Sequence, residues 1–476
     1  MSGENFDGSD NDDDDSGSED TRNGGGSFLG FTLNGYKGVT LPTTDIPTIT
    51  FDDTSPEVFF RDFVSKRKPC IISGHPALND GTSWRDQFTY NKLVACAGTE
   101  IVQVEKRLAL SETFGQNRTA ERQIEMSVQE FLDCVCDGKA GKRKRESTNK
   151  CTTDGLNGEN LYLSTQSHED DDEFSHPFSA PCRQMMEKGW IPMKPDLAGG
   201  LILQSCNLWM GRSRDGSSSG LHHDYHDNLY VLVRGKKRFR LFSPDQAENL
   251  ATNGIIDRVY FNGRISYVDA ETRADGRPID FSGDEDGDED EFSATNEEST
   301  NQDVIIGKGF DYVSSGEEED EDIDWEANGE DNFDEEMNVA ENDLEQDDTK
   351  NISNVADAGD NDKPVDSFSR IDFTSKDRCA ILNEFPNFEK CTECILEVEA
   401  GQMLYLPCGW FHEVTSFSEK TNSSSTEDDA MKNCHIAVNY WFHPPDNLNN
   451  ETRPYSSNFW GKYLDEVMDK SKRKKE

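Results

Sequence analysis

The sequence predicts a mainly β protein, a barrel or jelly roll flanked by helices on its N-terminal and C-terminal sides. Two observations carry this. From Leu201 onward the chain breaks into short β-runs, LILQSCNLWM, NLYVLV, KRFRLF, CILEVEA, QMLYLP and HIAVNYWF, separated by Gly, Pro and polar turns. No long helical pattern falls between these runs, which leaves a closed or stacked all-β arrangement.

The chain of 476 residues is only 33% hydrophobic and carries a formal charge of −47. That charge is local. Phe281 to Lys350 holds 29 acidic residues against two lysines, and Met1 to Asp20 holds nine with no base. Such segments cannot bury enough apolar surface to fold alone. The remainder is mildly acidic and reads as globular.

The elements follow in order. Residues 1–40 form an acidic, Gly-rich N-terminus, and 41–200 an N-terminal α/β part. Within that part LPTTDIPTITFDD contains a short strand. Ser55 caps a helix running to Val64 with an early Pro56, and Lys68 to Gly74 is a strand ended by glycine. Val128, Phe131, Leu132 and Val135 share one face of a helix over Ser127 to Cys136, and a basic loop, Gly138 to Lys150, follows. Residues 201–446 form the barrel, interrupted at about 270–365 by the acidic tract. An insertion of that size is tolerated because closure entropy grows only logarithmically with length. Residues 447–476 supply a helix over Asn458 to Lys470 and a basic tail.

Twelve cysteines without framework spacing, and a start, MSGENFDGSDNDDDD, lacking a basic and an apolar region, predict an intracellular protein, nuclear, cytoplasmic or both. No run approaches the roughly 18 apolar residues of a membrane span. The acidity argues against direct nucleic-acid binding, and Lys142 to Arg145 and the basic tail read as import signals or as contacts for the acidic tract.

The stretch SGLHHDYHDNLY, Ser219 to Tyr230, carries the chemistry. Strand alternation puts His222 and Asp224 on one face and His223 on the other. An imidazole and a carboxylate two residues apart can hold one ion, and a third imidazole completes a two-His-one-carboxylate set suited to Fe(II). His412, directly after the strand Met403 to Pro407, is the candidate. Any one of these histidines alone also reads as an ordinary polar residue near a sheet edge. Cys391-Thr-Glu-Cys394 has zinc-like spacing but no second pair.

SGLHHDYHDNLYVLVRGKKRFRLFSP, followed by GQMLYLPCGWFHEV and HIAVNYW, resembles the jumonji-C (JmjC) family of Fe(II)- and 2-oxoglutarate-dependent oxygenases, specifically its small cupin-like hydroxylase branch. The resemblance spans about Ile46 to Trp460 without the acidic tract. It implies a double-stranded β-helix (jelly-roll, cupin) barrel and a catalytic metal triad of His222, Asp224 and His412. It also implies that Lys237 pairs with the far carboxylate of 2-oxoglutarate, assisted by Ser219 and Tyr162, and that Asn228 and Asn439 line the cofactor end. Fe(II), 2-oxoglutarate and O2 are the implied reagents. A protein side-chain hydroxylase is the expected activity, because the carboxylate ligand is Asp224, Lys237 lies fifteen positions past His222, and no zinc modules accompany the domain. The alternatives are a lysine or arginine demethylase, and an inactive acidic scaffold for basic proteins. The expected partner is a protein substrate, with basic histone, ribosomal or GTPase-like factors suited to the acidic tract. Target residue and oligomeric state are left open.

Overall fold

The computed structural model describes residues 32–39, 41, 46–75, 84–115, 122–136, 158–165, 176–268, 364–419, 431 and 433–473. The basic loop, most of the N-terminal segment and nearly all of the acidic tract lie outside these residues.

Seventeen short strands are described: β1 (Thr32–Asn34), β2 (Thr48–Thr50), β3 (Cys70–Ser73), β4 (Ile101–Lys106), β5 (Gln123–Ser127), β6 (Leu161–Ser164), β7 (Leu203–Gly211), β8 (Ser217–Ser218) and β9 (His222–His223) come first. They are followed by β10 (Asp227–Arg234), β11 (Lys236–Phe242), β12 (Ile256–Tyr260), β13 (Ile265–Tyr267), β14 (Cys394–Glu399), β15 (Met403–Leu406), β16 (Phe411–Phe417) and β17 (His435–Phe442). A nine-stranded sheet runs β2-β3-β15-β10-β17-β7-β6-β4-β5, and a second runs β14-β11-β16-β8 with β9 also on β16. The chain passes between the sheets at Gly235, whose φ of 81° suits a residue without Cβ. The fold is the mainly β cupin or jelly-roll arrangement that the sequence predicts.

Two apolar layers hold it together. Along β10 every residue is buried, because both faces are covered. Tyr230 and Leu232 join Phe239, Leu241, Leu396, Leu404 and Leu406 inside the barrel. Leu229, Val231 and Val233 point the other way, into a larger core with Phe59, Phe131, Leu208 and Tyr405. The N-terminal helices pack on this second face. One runs Pro56–Phe59 and continues as a π-helical turn to Val64, with the Ser55 hydroxyl accepting from the Val58 N–H. Another, Val128–Val135, starts in a capping box made by Ser127 and Glu130. On β11 the alternation leaves Lys237, Phe239 and Leu241 inside and Lys236, Arg238 and Arg240 outside.

Sequence patterning anticipates the barrel strands, these two N-terminal helices and the C-terminal helix, found at Phe459–Arg473, but not the helix Tyr90–Ala97. It does not show that β4, β5 and β6 extend the main sheet, nor that β12 and β13 pair with β1. These strands are only three to six residues long, and their partners lie far along the chain, so local patterning does not reveal the pairing.

Candidate metal and co-substrate site

The register of the second sheet brings the ligands together. His412 on β16 lies opposite Leu241 on one side and His222 of β9 on the other. Asp224 sits just beyond β9, where its carbonyl accepts from the Gly409 N–H at 3.0 Å. Gly409 has φ of 77°, and a Cβ there would lie 1.8 Å from the Gly263 carbonyl oxygen. Only glycine allows the turn that ends β15 to pass so close to the β12–β13 hairpin.

Ligand atoms of His222, Asp224 and His412 all fall within 4.8 Å of one another. His222 Nε2 is 3.9 Å and His412 Nε2 3.6 Å from the Asp224 carboxylate. Each imidazole is held by its other nitrogen. His222 Nδ1–H donates to the Gly220 carbonyl at 3.1 Å, and His412 Nδ1–H to the Trp410 carbonyl at 2.9 Å. Those bonds fix the tautomer and aim both Nε2 lone pairs at the carboxylate, the arrangement a metal needs. Burial, then the neighbouring His412, push the His222 pKa down to about 3, so its lone pair is free at neutral pH. Two nitrogens and one carboxylate on one side of an ion suit Fe(II). Among the described residues this is the one such cluster, and no zinc set forms at Cys391 and Cys394.

His223 points away, as alternation requires. Its Nε2 meets the Tyr267 hydroxyl at 2.6 Å and its ring packs on Phe411.

Deeper in the barrel stands Lys237, fully buried. Its ammonium donates to the Ser416 hydroxyl at 2.6 Å and lies 5.6 Å from the Tyr162 ring and 6.0 Å from the Tyr230 ring. Among the described residues no carboxylate pairs with it, and burial lowers its pKa to about 7. A buried cation without a counter-charge is costly, and an incoming carboxylate relieves that cost. Asn228 and Asn439 also face the interior. Asn439 Nδ2 donates to Asn228 Oδ1 at 3.3 Å, and Trp209 Nε1 donates to Asn439 Oδ1 at 2.8 Å. Ser219 is placed differently: its hydroxyl donates to the Gly220 carbonyl and accepts from the Val414 N–H, tying β16 to the loop before His222.

Sequence reasoning missed two participants. Ser416 stands four residues past His412 on one strand, so period two alone places it on the same inner face. Trp209 packs against the barrel core and also orients Asn439 through its indole N–H.

A profile of the cupin-like domain family matches residues 56–448. The chain belongs to the cupin-like JmjC family. JmjC domain-containing protein 4 of Schizosaccharomyces pombe is 31% identical over 483 aligned positions, covering 90% of this chain and 91% of that protein. JmjC domain-containing protein E of Dictyostelium discoideum is 22% identical over 395 positions, covering 81% and 80%. JmjC proteins of the cupin-like type are generally Fe(II)- and 2-oxoglutarate-dependent oxygenases. Among the described residues of this JmjC chain, no helix is long and apolar enough to cross a membrane.

Proposed function

We propose that this JmjC protein is an Fe(II)- and 2-oxoglutarate-dependent oxygenase that hydroxylates a protein side chain. The observation that carries the reading is the pairing, inside one barrel, of a tethered His-Asp-His cluster with a buried lysine that has no carboxylate partner among the described residues. His222, Asp224 and His412 would hold the metal, and Lys237 the far carboxylate of the 2-oxo acid. Tyr162 and Ser416 frame the Lys237 end. Asn228 and Asn439 line the interior wall, and apolar Phe239, Leu241 and Leu404 keep water out. When held by these residues, iron would supply oxygen activation coupled to decarboxylation of the 2-oxo acid, while the protein's own side chains orient and shield.

Asp224 as the carboxylate ligand and the fifteen-residue spacing to Lys237 favour hydroxylation over demethylation. An inactive scaffold fits less well, since all three ligand positions are filled and oriented. A basic protein substrate suits the acidic chain. The test is turnover with Fe(II), 2-oxoglutarate and O2 on a basic protein extract, followed by mass spectrometry. Hydroxylation adds one oxygen to a substrate side chain, demethylation removes a methyl group, and a scaffold yields no succinate at all.

Lys237 gives a pH signature. Its free-site pKa of about 7 rises when a carboxylate arrives, so binding takes up a proton above that pH. Affinity for 2-oxoglutarate is full below about pH 7 and falls as pH rises, by up to about tenfold per unit. Lys237→Ala should weaken binding by about 3–5 kcal/mol and flatten this profile. Lys237→Arg should rescue poorly, because a planar fork does not fit a point-charge site. Equal affinity at pH 6.5 and 8.5 in the unaltered protein would remove Lys237 from the role.

A further inference from the structure

In the barrel interior, within reach of the Lys237 charge, stands a histidine to which nothing in the metal site assigns work. His435 opens β17 and is 0% exposed. Among the described residues neither of its ring nitrogens has a hydrogen-bond partner. Native proteins rarely leave two buried polar atoms unpaired on one ring. The position is carved for it. His435 lies opposite Gly211, which also lies opposite Tyr162, and the two rings stand 5.8 Å apart. A Cβ on Gly211 would lie 2.9 Å from Tyr162 Cδ2 and 3.2 Å from His435 Nε2, and one on Gly235 would lie 2.8 Å from His435 Cβ. Two glycines thus make room for one imidazole. Strand alternation puts its side chain on the same face as Asn439, toward the interior.

We infer that His435 is a co-substrate-binding residue, whose ring N–H joins the Lys237 ammonium in holding the distal carboxylate of a 2-oxo dicarboxylic acid. This rests on the oxygenase reading of the same cavity. The electrostatics agree: burial and then the nearby Lys237 and Arg107 charges hold the ring neutral, and a neutral imidazole keeps one N–H to give. Two donors of different geometry on one carboxylate select for its position as well as its charge, so His435 acts on the choice between dicarboxylic and monocarboxylic 2-oxo acids.

The test is calorimetric titration of the Mn(II)-loaded full chain under nitrogen with 2-oxoglutarate, glutarate and 2-oxovalerate. His435→Phe keeps a ring without an N–H; His435→Gln restores a donor. Losing one charge-assisted bond should weaken 2-oxoglutarate and glutarate by about ten- to a hundredfold in the Phe variant. Binding of 2-oxovalerate, which lacks the distal carboxylate, and of Mn(II) should stay unchanged. The Gln variant should recover much of the loss. Equal loss of all three acids would mean that His435 only supports the fold, and unchanged 2-oxoglutarate and glutarate affinity in the Phe variant would mean that it binds nothing; either overturns the inference. The oxygenase reading fails separately, if the unaltered protein binds 2-oxoglutarate no better than glutarate, since only the former can chelate the metal. Glutarate binding then decides the role of His435 by itself.

Discussion

Replacing His222, Asp224 or His412 with alanine will each abolish Fe(II)-dependent succinate formation while leaving the barrel folded. The three side chains converge on one point and make little of the core, so losing one removes a metal bond and leaves the packing. Metal titration should show the same loss as turnover, with unchanged far-ultraviolet circular dichroism. His223→Ala separates ligand from neighbour. It leaves the Tyr267 hydroxyl without its buried partner, which costs about 1–3 kcal/mol of stability, yet it should bind metal normally. A His223 variant that folds but binds no metal, beside a His222 variant that still does, would shift the assignment by one residue.

That contrast was legible in the sequence because it depends on period two, the most local rule a strand obeys. The same rule places Lys237, Phe239 and Leu241 on one face. Partners distant along the chain were not legible. Ser416 meets Lys237 across 179 residues. Trp209 reaches Asn439 across 230. Period two puts Ser416 on the inner face, but nothing in either local pattern names the distant side chain that it meets. For Ser219 the family resemblance implies a co-substrate contact, and its hydroxyl is bonded to the Gly220 carbonyl and Val414 N–H, bonds that no local pattern foretells. His435 lay in a strand that was read correctly, but its lack of partners is visible only once neighbouring strands are in register.

The second large effect concerns the ion pair behind the site. Arg67 grips Asp227 through both terminal nitrogens, with Nη1 2.8 Å from Oδ2 and Nη2 bonded to Oδ1. Asp227 also accepts from the Tyr405 hydroxyl at 2.8 Å and the Cys408 N–H at 2.9 Å. Arg67 is 3% exposed and Asp227 0%, so neither charge has water to fall back on. Arg67 sits at φ of 52°, an uncommon region for arginine, and its carbonyl accepts from Trp410 Nε1 at 3.0 Å. The N-terminal helix is thereby fastened to the turn Cys408–Gly409–Trp410, whose Gly409 N–H holds Asp224 and which leads straight into His412. Arg67→Ala should therefore cost about 3–5 kcal/mol in urea unfolding, because it strands a buried carboxylate. It should weaken metal binding too, although Arg67 is not a ligand. Arg67→Met with Asp227→Leu removes both charges and should regain only part of the loss, since the Tyr405 hydroxyl and Cys408 N–H then lack their acceptor. A double variant no more stable than Arg67→Ala would show that the coupling lies in packing around the turn and not in the charge pair.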